Sequence, residues 1–167
     1  SEAGGLYAYQ IMLKNAVDQT ISSIRHINQE NAQIPLKNKQ DQAYKSVKGI
    51  RYGSEGKDYF FITGNDSTMI MHPYSPDLEG NDLSELKDST GKRFFSEMVR
   101  VCQEKGEGFV TYLWPLPGTN QMVPKITYVK LYKPWGWIVG SGVYLDHNNQ
   151  ALLERANQFA AGKPFST

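Results

Sequence analysis

The strongest constraint on the fold of this chain is a change of hydrophobic period near residue 53. From Leu6 to about Ala32 there is neither proline nor glycine. Leu6, Leu13, Ile27 and Ile34 fall on a seven-residue repeat with Thr20 as its one polar member, and Val17 and Ile24 lie beside that line. The spacing predicts a long amphipathic helix with a narrow apolar stripe. The stripe can pack on a second helix of the same domain or form a coiled-coil seam with a second copy of the chain. Pro35 interrupts the pattern, and a shorter helix is expected over Leu36 to Ile50, with Ala43, Val47 and Ile50 inward. The turn-rich run Gly53-Ser54-Glu55-Gly56-Lys57-Asp58 follows, and beyond it the period is that of strands.

Tyr59 to Thr63 and Thr68 to His72 flank Gly64-Asn65-Asp66-Ser67, a hairpin pattern. Pro73 and Pro76 impose an irregular extended loop. Gly91 to Lys105 reads as a helix whose apolar side is Phe94, Phe95, Met98, Val101 and Cys102, ended by Gly106-Glu107-Gly108. Three strands follow, Phe109 to Trp114, Val123 to Tyr132 and Trp137 to Tyr144, and a helical tail from about Asp146. Five strands on short links predict an α+β fold, an antiparallel sheet covered by helices. The expected division is a helical part at 1–50, a sheet core at 51–145 and a C-terminal helix at 146–167.

At 167 residues the chain suits one domain with a sizeable core. Its formal net charge of +1, with 21% charged residues, supplies no basic field for nucleic acid. Cys102 reads as a buried structural thiol. His26, His72 and His147 lie far apart, with no metal-ligand spacing, no nucleophile elbow and no phosphate loop. Neither a cofactor nor an enzyme activity is indicated. No apolar run approaches the roughly twenty residues that cross a bilayer, and no signal peptide is legible. The start at Ser1 reads as a cut from a longer chain.

The chemistry concentrates between Tyr59 and Tyr144. Gly140 and Gly142 strip side chains from one face of the last strand, which admits either close packing or a ligand. His72, Lys125 and the hydroxyls of Tyr112 and Tyr128 are donors among aromatics, the setting in which a small carboxylate is held. Strand alternation sends Lys125 and Tyr128 to opposite faces unless a bulge intervenes. An amine ligand would instead recruit carboxylates, and the acidic residues cluster at Asp77 to Glu85, outside the strands.

Eight motifs in order carry a resemblance: Tyr59-Phe60-Phe61-Ile62, Met71-His72-Pro73, Asp77-Leu78-Glu79-Gly80, Asp88-Ser89-Thr90-Gly91-Lys92, Gly108-Phe109-Val110, Trp114-Pro115-Leu116-Pro117-Gly118, Pro124 to Lys130, and Pro134-Trp135-Gly136-Trp137-Ile138. From about Ile50 to Tyr144 the chain resembles the single Cache domain of the second type (sCache_2), the extracytoplasmic sensor of bacterial methyl-accepting chemotaxis proteins and some sensor kinases. The resemblance implies a PAS-like five-stranded antiparallel sheet with the long N-terminal helix packed along it. It also implies a periplasmic location between two transmembrane helices and a pocket for a small organic anion of the acetate, propionate, pyruvate or lactate type. The expectation of a homodimer through the N-terminal helix comes instead from its apolar stripe. Carried onto this sequence, His72 and Lys125 would hold the carboxylate. Tyr112 and Tyr128 would be further donors, with Phe60, Tyr74, Met98 and Trp114 as walls. The sensor domain of a histidine kinase, an amino-acid or amine sensor, and a purely structural dimerisation module without a ligand are the alternatives.

Overall fold

The computed structural model describes residues 2–30 and 32–145, so the expected C-terminal helix lies outside the described residues. Helix α1 (Glu2–Glu30) is followed by α2 (Leu36–Lys48), β1 (Phe61–Gly64), β2 (Met69–Met71), α3 (Phe94–Lys105), β3 (Glu107–Pro115), β4 (Met122–Tyr132) and β5 (Trp137–Tyr144). The five strands form one sheet in the order β2-β1-β5-β4-β3, and the pairs β1/β2, β1/β5, β3/β4 and β4/β5 are all antiparallel. This is the expected fold.

The α1 stripe is used up inside the chain. Leu6, Leu13, Val17, Ile21, Ile24 and Ile27 are buried in one cluster with Ala43 and Val47 of α2 and with Ile126, Tyr128, Val139 and Val143 of the sheet. Lys130 of β4 pairs with Asp18 of α1 at 2.7 Å across the boundary between helix and sheet. Burying six such side chains, at roughly 1.5–3 kcal/mol each, outweighs the weak intrinsic tendency of so polar a segment to be helical. Ile34 falls beyond the helix and is exposed.

The opposite face carries a second core, in which Phe61, Met69, Phe94, Phe95, Met98, Val110, Tyr112, Trp114, Val129 and Ile138 pack around α3. That helix starts three residues later than the sequence predicts. Asp88 claims residues 90–92 for a turn instead: its Oδ1 accepts the Thr90 and Lys92 N–H groups at 2.9 and 3.1 Å. Gly91 sits at φ +88, which glycine adopts without the cost a side chain would bring. Cys102 is buried, and burial, with Glu107 nearby, pushes its thiol up to about 12. It is a packing residue.

Candidate functional site

The site grows out of strand register. Lys125 faces Tyr112 on β3 and Tyr144 on β5, so these three form one cross-strand row on the α3 side of the sheet. The next row on that face is Val110, Thr127 and Gly142. Pairing with β1 begins only at Phe61 opposite Gly140, which leaves the last turn of β5 to be bordered by Tyr59. The two glycines are needed because side chains cross them. A Cβ on Gly140 would lie 2.8 Å from Phe61 Cε1, and one on Gly142 would lie 2.7 Å from Lys125 Cε and from the Ile126 carbonyl. The strip therefore holds the Phe61 ring and the Lys125 stem, neither a helix nor open space.

Crossing Gly142, the Lys125 ammonium donates to Tyr59 Oη at 2.9 Å and lies 4.6 Å and 5.1 Å from the Tyr59 and Tyr144 ring centroids. Lys125 is 2% exposed. Among the described residues no carboxylate oxygen comes within 4.0 Å of its ammonium. Burial by itself lowers the Lys125 pKa. Attraction to Tyr59 and Tyr112, the hydrogen bond to Tyr59 and the nearby Asp58 outweigh it, and the pKa is raised above the ordinary value. The result is a buried cation held by one hydroxyl and two ring faces, with no carboxylate in direct contact among the described residues.

His72 follows β2 directly, and its ring sits among those of Tyr59, Phe61 and Trp114, with centroids 5.2, 6.2 and 5.6 Å away. Its Nδ1 accepts the N–H groups of Tyr74 and Ser75 at 3.2 and 3.0 Å, which fixes the start of the proline loop. Burial, reinforced by the Lys125 charge, holds its pKa down at about 3. The ring is thus neutral, and with Nδ1 an acceptor its proton resides on Nε2, a donor in the same aromatic cluster as the Lys125 ammonium. The Tyr112 hydroxyl meets Thr127 Oγ1 at 2.8 Å, and its ring stacks on Phe94 at 4.4 Å. Tyr74 is half exposed, with its ring edge-on to Tyr59 at 4.8 Å and the Arg51 guanidinium 5.0 Å from its centroid.

The structure brings His72, Lys125, Tyr112, Trp114, Tyr74 and Met98 to the α3 side. It places two expected site residues elsewhere. The β3/β4 and β4/β5 ladders run without a shift, so no bulge turns Tyr128 toward Lys125. Tyr128 faces the α1 core beside Phe109, and its buried hydroxyl has no hydrogen-bond partner among the described residues. Phe60 also faces that core, stacked on Tyr52 at 5.2 Å. The sequence reading missed Tyr59, Tyr144 and Asp58. Period-two alternation from Phe61 identifies Tyr59 in place of Phe60. Asp58 carried no such signal, because its position depends on a loop.

A cleft of about 570 Å³ opens beside this cluster, lined by Tyr59, Tyr74, Gly142 and Tyr144, by Asp58 of the preceding loop, and by Tyr9 and Met12 of α1. Burial pushes the Asp58 carboxyl up while Lys125 draws it down, and the net shift is upward.

Residues 8–158 match the family model of the Cache domain, dCache_2. Methyl-accepting chemotaxis protein McpP of Pseudomonas putida is 46% identical over 107 residues, 64% of this chain and 19% of that protein. Sensor histidine kinase MctS of Rhizobium johnstonii is 33% identical over 100 residues, 60% of this chain and 21% of that protein. The chain thus spans about a fifth of the length of these relatives. A solved structure described as the structural basis for carboxylic acid recognition by a Cache chemosensory domain is 42% identical. It covers 87% of this chain and 99% of its own, with a TM-score of 0.79. Another, a periplasmic sensor domain of a chemotaxis protein, is 38% identical, covering 84% and 98% with a TM-score of 0.80. Sheet order, helix placement and the match over residues 8–158 agree: the chain belongs to the Cache domain family.

Proposed function

We propose that this chain is the extracytoplasmic ligand-binding domain of a bacterial chemoreceptor, and that its ligand is a two- or three-carbon carboxylate such as acetate, propionate, pyruvate or lactate. One observation carries the reading: the Lys125 ammonium is buried, with Tyr59 as its hydrogen-bond partner and no carboxylate within 4.0 Å among the described residues. The surroundings keep the ammonium charged, and a ligand carboxylate supplies the close ionic partner that the described residues lack. The neutral His72 adds an Nε2–H donor without a second positive charge. The likeness to a Cache domain that recognises a carboxylic acid supports the same reading.

Signal would leave the site through the proline loop. The His72 N–H donates to Glu79 Oε2 at 3.1 Å, and Glu79 Oε1 accepts the Tyr44 hydroxyl of α2 at 2.6 Å. Lys39 of α2 in turn donates to the Asn28 carbonyl of α1 at 3.1 Å. A ligand drawing His72 and Lys125 together thereby biases the helical layer, provided that it binds one arrangement more tightly than the other. Because the α1 stripe is buried within the chain, a homodimer on this helix would use its outer face, where Tyr7 and Ile11 are exposed. The match to MctS extends the proposal to a kinase as the output protein.

The test is a thermal-shift panel of acetate, propionate, pyruvate and lactate, with alanine and an amine alongside. A ligand at a hundred times its Kd stabilises the native state by about 2.7 kcal/mol, a rise of roughly 5–10 °C for a chain of this size. If no short acid at millimolar concentration moves the Tm, the reading is wrong. The presence of Asp58 on the cleft favours one other reading, a ligand that also carries an ammonium group. Tighter binding of alanine than of lactate and propionate would decide for it.

A further inference from the structure

We propose that Asp58 makes this site selective for acids with a single negative charge, by holding a fixed carboxylate where the far end of the ligand must emerge. The inference rests on the carboxylate reading above and adds the rule that excludes diacids.

The cleft and the Lys125 site share walls. Tyr59 and Tyr144, whose rings bracket the ammonium, line it, and so does Gly142, over which the Lys125 stem passes. An acid whose carboxylate meets Lys125 therefore points its other end into the cleft, along whose wall Asp58 stands.

That carboxylate is positioned in advance. Backbone bonds run both ways between Tyr52 and Asp58, at 3.1 and 3.0 Å. Gly53 sits at φ +87, and a Cβ there would lie 2.9 Å from Asp58 Cγ, so this turn accepts the aspartate only because position 53 is glycine. Among the described residues no hydrogen bond or ion pair from another side chain reaches the Asp58 carboxylate. The remaining charges of the cleft, Glu55 and Lys57, pair with each other at 3.8 Å in solvent. What the ligand meets is a cation at the inner end and an unpaired anion on the wall outside it. A second carboxylate emerging into the cleft would share it with the Asp58 carboxylate, whose main chain the two backbone bonds hold in place. Specificity against close analogues is commonly built from such a repulsive element.

Calorimetric titration of the 167-residue chain with propionate, succinate and succinate monomethyl ester tests this. The expected result is succinate at least about tenfold weaker than propionate, with the monomethyl ester, one methyl longer than succinate but carrying one charge, close to propionate. In Asp58→Asn the ratio of the succinate Kd to the propionate Kd should shrink. The proposal is overturned if succinate binds the wild-type chain as tightly as propionate. It is equally overturned if the monomethyl ester is as weak as succinate, since length and not charge then sets the limit. A succinate gap unchanged in a folded Asp58→Asn chain also overturns it. Should that variant fail to fold, the ester comparison in the wild type decides alone. Failure of every acid, propionate included, overturns the carboxylate reading and this inference together.

Discussion

Replacing Lys125 by methionine should modestly weaken the ligand-free fold and remove its ligand response. The Lys125 stem lies over Gly142 and is buried, and methionine keeps most of that volume. What it removes is an ammonium whose protein partners are one hydroxyl and two ring faces. Replacing a whole buried ion pair by apolar groups is neutral to stabilising, but Lys125 has no such pair, and its raised pKa means that the fold favours the ammonium more than water does. The Tyr59 hydroxyl also loses a partner, at a cost of about 1 kcal/mol. The net expectation is a loss of about 1–2 kcal/mol, or roughly 2–8 °C in Tm for a domain of this size. Binding weakens as well. Removing one member of a buried, hydrogen-bonded charge pair costs about 2–5 kcal/mol, so Kd for propionate should weaken by about 30-fold or more. Differential scanning calorimetry, with and without propionate, reads both effects on one sample. A higher ligand-free Tm would show that the fold does not favour the ammonium, and an unchanged propionate shift would remove Lys125 from the site.

Gly140→Ala should cost about 1–3 kcal/mol in chemical denaturation, because its Cβ would lie 2.8–2.9 Å from two carbons of the buried Phe61 ring; a loss under about 0.5 kcal/mol would mean that the ring moves freely. His72 should make the fold acid-sensitive. Its folded pKa of about 3 lies below the ordinary 6.5, so between those values the unfolded chain binds a proton that the native chain refuses. Stability from this group is therefore complete above about pH 6.5 and declines by about 1.4 kcal/mol per pH unit below it. His72→Asn, which keeps an acceptor for the Tyr74 and Ser75 N–H groups, should lose that slope; urea midpoints from pH 4 to 7 with equal slopes in both chains would contradict the assignment. Asp88→Ala should cost about 2–4 kcal/mol, because Asp88 accepts the N–H groups of Thr90, Lys92 and Leu113 and the Thr90 hydroxyl; a near-neutral Tm would show that the turn closes without it.

Much of the fold is legible because it rests on local periodicity. The α1 stripe and the strand alternation each express one buried face, and five strands on short links leave few topologies. The helix onset at Phe94 was less legible, since it depends on Asp88 reaching two backbone groups that a periodic pattern does not weigh. The site divides in the same way. Parity alone separates Lys125 from Tyr128, and the unshifted ladders show that parity holds. The resemblance that gathered His72, Lys125, Tyr112 and Trp114 also gathered Tyr128 and Phe60, because motif order carries no information about sheet faces. Tyr59 lies 66 positions from Lys125, and their meeting depends on where β1 stops pairing with β5. Asp58 needed still more, a left-handed glycine at 53 and a two-way backbone bridge that no spacing rule anticipates.

The most direct test of the central claim is a crystal structure of the chain grown with propionate. The account predicts propionate density on the α3 side of the sheet, with one carboxylate oxygen about 2.7–2.9 Å from Lys125 Nζ, as expected for a charge-assisted bond. Propionate bound on the α1 side beside Tyr128, or a saturated crystal with Lys125 still bonded to Tyr59 alone, would contradict it.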